Sequence, residues 1–169
     1  MPANSAAGCM QMSDRMTDLP SLAPPGIMLG IGLGGFFDGI VLHQIFQAHA
    51  MLSAVIPLHS MMNMKANMLA DGLFHAFMWM ATLIGVTLLW RALNGRRDAS
   101  AAGWRLIGYM LAGWGWFNLV EGLIDHHLLD LHHVVEALGL SMWDWLFLAS
   151  GIVLILVGHV IARKSSQAT

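Results

Sequence analysis

Four long apolar stretches dominate the chain, and polar and charged residues collect between them. The stretches cover about 27–50, 69–91, 105–128 and 144–162. A helix needs roughly 20 largely apolar residues to cross the hydrocarbon core of a bilayer, and each stretch meets that requirement. The pattern therefore predicts an all-α polytopic membrane protein whose fold is a four-transmembrane-helix bundle.

Turn-forming residues mark the limits of the first two predicted spans. Pro24 and Pro25 precede the first span, and the Asn94-Gly95 pair follows the second. We expect three parts in the chain: a flexible N-terminal tail over 1–25, a four-helix transmembrane domain over 26–163 and a C-terminal tail over 164–169.

Glycines recur through the first span at intervals that favour close packing of helices. Gly26, Gly30 and Gly34 are spaced four residues apart, and so are Gly35 and Gly39. Small residues at this spacing lie on one face of a helix and let a neighbouring backbone approach closely. We therefore expect another helix to pack against the first span along these glycines.

Composition supports the membrane as the solvent of this chain. Hydrophobic residues make up 57% of the sequence and charged residues 11%, and the mean hydropathy is +0.63. A soluble domain usually carries about 25% charged residues. The net charge of -2 offers no basic surface for nucleic acid. The single cysteine, Cys9, excludes an internal disulfide and a CxxC motif.

Basic residues are distributed unequally between the two predicted sides of the membrane. With four spans, both termini share one side with the loop between the second and third spans. That side carries seven of the eight Lys and Arg residues, and the other side carries only Lys65. The positive-inside rule then places both termini in the cytoplasm. The loops over 51–68 and 129–143 face outward, toward the periplasm of a bacterium whose inner membrane holds the protein.

Ionisable side chains lie inside or next to these spans, mostly in the outward half. A charge is costly in a bilayer, so each such residue is a candidate for function. Histidine beside carboxylate is the usual ligand set for zinc, iron or copper. We expect the metal ligands to be His43, His49, His75, Glu121, Asp125, His126 and His132. Residues expected to orient these ligands by hydrogen bonds are Asp38, Asp71, Asn118 and His133.

Helical geometry groups some of these residues and separates others. Asp71 and His75 are four residues apart and share a face, so Asp71 is expected to hold one ring nitrogen of His75 while the other binds metal. On a straight first helix, His43 and His49 would point about 120° apart. One metal site can contain both only if that helix bends.

Two other interpretations of these groups stay open. They can serve only as hydrogen-bonding partners between helices, or they can form a pathway for protons or ions. Glu121 and Asp125 share a face of the third span and would repel each other if both were ionised. A metal ion or a proton is therefore expected to neutralise them.

The predicted outer loop is rich in methionine. Its segment HSMMNMKANM contains Met61, Met62, Met64 and Met68 after His59. Soft thioether sulfur selects copper(I), which favours copper as the metal. The alternative is that these methionines supply flexible apolar contacts at the membrane surface. Copper and iron are the leading candidates, and zinc is the third.

The chain resembles a bacterial family of uncharacterised four-helix integral membrane proteins, domain of unknown function family 2243. The motifs that carry the resemblance are GFFDGIVLHQIFQAHAM, DGLFHAFMW, GWGWFNLVEGLIDHHLLDLHHV and WDWLFL, within roughly 30–158. The resemblance implies a four-helix membrane fold and no particular reaction. Family members commonly have a second histidine after the one matching His49, where this chain has Ala50. The resemblance marks as family pattern Asp38, His43, His49, Asp71, His75, Glu121, Asp125, His126, His127, His132 and His133.

These observations predict an inner-membrane metalloprotein with a transition-metal site near the periplasmic face. We expect a redox role, as a metal-dependent oxidoreductase, or a role in copper or iron handling. The chain has no long soluble domain, so its redox partner is expected to be a separate protein or a quinone. One alternative is a zinc-dependent membrane hydrolase in which Glu121 or Asp125 activates a zinc-bound water. Another is a structural or ion-conducting subunit without metal, and homo-oligomers are compatible with every one of these roles.

Overall fold

The computed structural model describes residues 21–94 and 99–167, and these residues form four long helices without a β-strand. The all-α prediction is therefore confirmed for the described residues. Residues 1–20 of the predicted N-terminal tail lie outside them. The helices are α1, Ala23–Phe37; α2, Met61–Leu93; α3, Ala99–Glu121; and α4, Met142–Gln167. The chain continues after α1 and α3 as the π-helical segments Asp38–Ile45 and Gly122–Leu128.

All four helices begin earlier than the apolar pattern predicts, and the residues at the start of α1 and α2 show why. α1 starts at Ala23 and holds Pro24 and Pro25 in its first turn. Proline is tolerated there because the first turn of a helix leaves its backbone N–H groups without helical partners. α2 starts at Met61, where the Ser60 side chain caps the helix by accepting a hydrogen bond from the Asn63 N–H at 3.1 Å.

The methionine-rich segment is consequently helical from Met61 onward and is not an outer loop. Serine at the cap position satisfies one of the free N–H groups of the first turn, which extends α2 well beyond its apolar part. Met61, Met62 and Met68 are each more than two-thirds exposed. They therefore stand on the surface at the end of the molecule where α2 begins.

Within residues 21–94 and 99–167, three helical stretches are long and apolar enough to cross a membrane: Ala23–Ile45, Met61–Leu93 and Met142–Ser165. The third predicted span, within α3, does not appear among them. Its sequence is rich in glycine and tryptophan and ends in Asn118 and Glu121, residues that lower its mean hydropathy. α3 lies between α1 and α4, so much of its surface contacts protein.

The helices pack in the order α2, α1, α3, α4, and α2 also reaches α3 through side chains such as Phe74, whose ring centroid lies 6.1 Å from that of Phe117. Glycines allow the two central helices to approach closely. A side chain at Gly30 would meet the Met110 backbone of α3, and one at Gly113 would meet the Ile27 backbone of α1. The expected packing of a helix along these glycines is therefore observed, with α3 as the partner. α1 and α3 thereby bring their π-helical ends together.

Candidate metal centre

The π-helical segments place histidines that a straight helix would keep apart. Each segment ends shortly before a residue with positive φ, Gln47 at 50° and Asp130 at 52°, where the chain turns back. As a result the ring centroids of His43 and His49 lie only 4.4 Å apart. The bend that the sequence required is thus supplied by a π-helical end and a chain reversal. Interruptions of this kind occur frequently at functional sites.

Four imidazoles meet where α1 and α3 end and α2 and α4 begin. This histidine cluster consists of His43, His49, His126 and His132, and each residue is at most 5% exposed. The rings of His49 and His132 stack at 4.5 Å, and those of His126 and His132 lie 4.9 Å apart. Buried imidazoles this close together need partners that balance their nitrogen atoms.

The histidine cluster consists of two pairs, His43 with His49 and His126 with His132. Two aspartates from the outer helices contact the first histidine of each pair. The Nδ1 atom of His43 lies 2.9 Å from Asp71 Oδ1, and Nδ1 of His126 lies 3.1 Å from Asp144 Oδ1. Both carboxylates are buried. Asp71 belongs to α2 and Asp144 to α4, so each outer helix contributes one orienting group to the cluster.

Backbone carbonyls hold the second histidine of each pair. His49 Nδ1–H donates to the Val134 carbonyl at 3.1 Å, and His132 Nδ1–H donates to the Met51 carbonyl at 3.1 Å. A carbonyl oxygen can only accept, so Nδ1 carries the proton in both rings. In a neutral ring Nε2 then has a free lone pair, which is the arrangement of most metal-binding histidines.

Three of the four Nε2 atoms of the histidine cluster lie next to carboxylate oxygens. Asp38 Oδ2 lies 3.1 Å from His43 Nε2, and Glu121 Oε1 lies 3.1 Å from His126 Nε2 and 3.0 Å from His132 Nε2. A lone pair and a carboxylate oxygen repel at this distance unless a cation lies between them. That cation is either a proton or a metal ion.

Two buried atoms of the centre, His49 Nε2 and Glu121 Oε2, lack a hydrogen-bond partner among the described residues. Each buried polar atom left unpaired costs about 1–3 kcal/mol. Two groups offer ligand atoms within 4.8 Å of one another, one made of His43, His49 and His132 and the other of Glu121, His126 and His132. The residues therefore fit a bound transition-metal ion.

His49 follows the candidate span Ala23–Ile45 and is neutral at physiological pH. Burial, together with the adjacent imidazoles of His132 and His43, lowers the pKa of His49 to about 3. The neutral ring is the form that binds metal.

Asp71 pairs with a different histidine from the one that sequence spacing indicates. Its carboxylate accepts from Met51 N–H at 2.9 Å and contacts His43. His75 instead bonds the Asp71 backbone carbonyl through Nδ1 at 2.7 Å. This contact is local to α2, and the neighbouring aromatic rings of His75 are Phe74 and Phe36.

The other predicted residues surround the cluster. Asp125 is half-buried and, with Glu121, lines a cavity of about 270 Å³. Asn118 Nδ2 donates to Ser150 Oγ at 2.9 Å, which links α3 to α4. His133 Nε2 lies 3.1 Å from Asp130 Oδ1. His127, part of the family pattern, contacts the Gly122 carbonyl through Nδ1 at 2.8 Å and lies outside the cluster.

Asp144 is a buried carboxylate of the centre that the sequence pattern does not assign to the site. Its buried carboxylate accepts from Val134 N–H at 3.0 Å and from Ser141 N–H at 2.8 Å, besides contacting His126. The sequence contains a pattern that could have identified Asp144. Asp71 and Asp144 each precede a phenylalanine by three residues, in the part of an apolar helix that lies nearest the site.

Fold and site together define a helical membrane protein with a buried histidine–carboxylate centre at one end. The chain matches the model of the family described as Predicted membrane protein (DUF2243) over residues 25–165, and it belongs to that family. This match confirms the resemblance carried by the four sequence motifs. No curated protein and no solved structure matches the chain.

Proposed function

We propose that this chain is an inner-membrane metalloprotein that binds a transition metal at the histidine cluster and acts in redox chemistry or in copper or iron handling. One observation carries the proposal: Nε2 lone pairs of buried imidazoles face the carboxylate oxygens of Asp38 and Glu121 at 3.0–3.1 Å. When two ligand atoms each lie about 2.1 Å from a metal ion and the ligand–metal–ligand angle is 90°, the two ligand atoms are about 3.0 Å apart. The observed spacing therefore suits an ion between them.

The ligands in this proposal are the four Nε2 atoms of the histidine cluster with Asp38 and Glu121. Asp71 and Asp144 orient His43 and His126, and backbone carbonyls orient His49 and His132. Imidazole and carboxylate together suit iron, copper(II) and zinc. The exposed methionines at the start of α2 lie at the same end of the molecule and support copper.

A hydrophobic cavity supports a membrane-dissolved redox partner such as a quinone. The cavity lies beside Glu121 and Asp125, and its rim includes the exposed side chains Phe77, Trp116 and Val120. Residues of α2 and α3 supply most of the cavity lining, and the exposed rim places its opening on the surface between these helices. An apolar molecule with a hydroxyl group could enter from the lipid and meet the carboxylates at its inner end.

Elemental analysis of the full chain, purified in detergent, tests the metal proposal. Transition metal is expected to copurify, and His132→Ala is expected to hold less of it than the parent because this buried ring belongs to both ligand groups. His159→Ala is the matched control, since His159 is exposed on α4 and contacts the Ile155 carbonyl of the same helix. Parent protein that binds no iron, copper or zinc would contradict the proposal. Colourless protein with tightly held zinc would favour the hydrolase alternative.

We also propose four spans, with both termini in the cytoplasm and the centre near the periplasmic face. The seven-to-one distribution of basic residues supports this orientation. Ser60 and Asn94 are exposed at opposite ends of α2, which suits them for cysteine labelling in a Cys9→Ser background. Ser60→Cys is expected to react with a membrane-impermeant maleimide in intact spheroplasts, and Asn94→Cys only after permeabilisation. The reverse pattern would invert the orientation.

A further inference from the structure

The two halves of the histidine cluster repeat each other in sequence. Adding 83 to the residue numbers of 38–51 gives 121–134. In each segment an acid is followed at once by glycine, then by histidine at the fifth and eleventh positions after the acid. Asp38, His43 and His49 thus correspond to Glu121, His126 and His132.

The backbone of the two segments repeats as well. Phe46 N–H donates to the Val41 carbonyl at 2.8 Å, and the equivalent Leu129 N–H donates to the Ile124 carbonyl at 2.8 Å. Both chain reversals use a residue with φ near 50°, at equivalent positions. The π-helical ends of α1 and α3 are therefore copies of one structure.

The side-chain contacts of the outer helices follow the same correspondence. Met51 N–H donates to Asp71 at 2.9 Å, and its equivalent Val134 N–H donates to Asp144 at 3.0 Å. A side chain at Gly39 would meet Phe74, and one at Gly122 would meet Phe147. The unit that repeats is consequently a helical hairpin, α1 with α2 and α3 with α4.

The contacts between the halves show that a local two-fold axis relates them. His49 bonds the Val134 carbonyl and His132 bonds the Met51 carbonyl, each at 3.1 Å. His49 corresponds to His132 and Met51 to Val134, so each bond is the equivalent of the other. The rings of His49 and His132 stack at 4.5 Å with planes 11° apart. The cavity beside Glu121 also has a counterpart of about 300 Å³ beside Asp38.

We infer that the centre is dinuclear, with two metal ions in equivalent half-sites related by this two-fold axis. The inference rests on the proposed metal-binding function. One ion is held by His43 and His49 with the Asp38 carboxylate, and the other by His126 and His132 with Glu121. A neutral imidazole whose Nδ1 carries the proton has one lone pair. His132, although close to both groups, therefore serves one ion, and the two-fold correspondence assigns it to the Glu121 half.

Charge supports two ions. The centre contains four buried carboxylates, Asp38, Asp71, Glu121 and Asp144. Two divalent cations supply four positive charges and would balance these groups when all four are ionised. Buried charges of one sign need such compensation.

The half-sites differ by one methylene group. Glu121 Oε1 reaches both His126 and His132, at 3.1 and 3.0 Å, whereas Asp38 contacts His43 at 3.1 Å. The shorter aspartate leaves its half-site more open. We expect the ion of the Asp38 half-site to be removed first by a chelator.

Stoichiometry tests this inference. Chelator-treated full-length protein in detergent is titrated separately with copper(II), iron(II) and zinc(II), desalted and measured for bound metal. Two ions per chain are expected with the metal that binds. His43→Ala and His126→Ala are each expected to retain about one ion and the double variant none, while His159→Ala retains two.

The outcomes separate this inference from the proposed function. One ion per chain in the parent, lost completely in either single variant, would overturn the dinuclear centre and leave a mononuclear metalloprotein. No bound metal in the parent would overturn both. A measurement on the parent alone covers variants that fail to fold. Two neighbouring copper(II) ions couple magnetically, so the isolated-ion electron paramagnetic resonance signal present at one equivalent is expected to broaden or disappear between one and two equivalents. An isolated-ion signal at two equivalents would contradict the inference.

Discussion

Glu121→Gln is expected to weaken metal binding at its half-site by at least about tenfold, without unfolding the protein. Glu121 Oε1 lies within 3.1 Å of two imidazole nitrogens, so its negative charge attracts a cation to both. Glutamine has nearly the same shape and no charge, and its amide N–H groups can donate to the Nε2 lone pairs. The variant therefore replaces the cation with hydrogen bonds. Metal content and thermal unfolding, measured on the same preparation, check both parts of the prediction.

Asp125→Asn provides the matched control for Glu121→Gln. Asp125 lies one turn further along the same helical stretch, is half-buried and lines the cavity rather than belonging to a ligand group. It is expected to retain the metal of the parent. Equal metal content in Glu121→Gln and the parent would contradict the ligand assignment. Loss of metal in Asp125→Asn but not in Glu121→Gln would indicate that the metal binds at the cavity instead.

Asp144→Asn is expected to lower the free energy of unfolding by roughly 3 kcal/mol. One oxygen of Asp144 accepts from Val134 N–H and the other from Ser141 N–H. An amide has a single acceptor oxygen, so one of these buried N–H groups would face the amide NH₂ without a partner. The carboxylate beside His126 would also lose its charge. Thermal unfolding in detergent after chelator treatment measures this effect apart from metal loss.

Asp130→Asn is the control for Asp144→Asn. The Asp130 side chain is 71% exposed and contacts His133 at 3.1 Å. Asparagine tolerates the positive φ at this position, so the backbone should not change. The free energy of unfolding is expected to change by no more than about 0.5 kcal/mol, as for most surface substitutions. Equal shifts in the two variants would mean that Asp144 does not organise the centre.

The sequence predicts the helical class and the end of the molecule where the site forms because both depend on simple patterns. Apolar length identifies the helices, and the cost of burying charge singles out residues such as His43, Glu121 and His132. The structure gathers these three residues at one end of the molecule. The expected packing of a helix along Gly26 and Gly30 of α1 follows in the same way from residue size.

The sequence does not predict the pairing of residues, because that depends on departures from regular helix geometry. Angles calculated for a straight α-helix do not apply after Asp38 or Glu121, where the helices become π-helical. Spacing along one helix therefore pairs Asp71 with His75, its neighbour on α2, whereas its carboxylate contacts His43 in the π-helical segment after α1. Asp144 lies at the start of an apolar helix, a position where aspartate is common for capping alone.

The crossed bonds from His49 to Val134 and from His132 to Met51 also bear on how this protein arose. Each hairpin supplies the carbonyl that orients a histidine of the other, so a single hairpin could not complete a centre by itself. Two identical hairpins could, as a symmetric homodimer. The chain has the form expected from duplication and fusion of such an ancestral gene. Once joined, the copies were free to diverge, and Ala50 now stands where the second copy has His133.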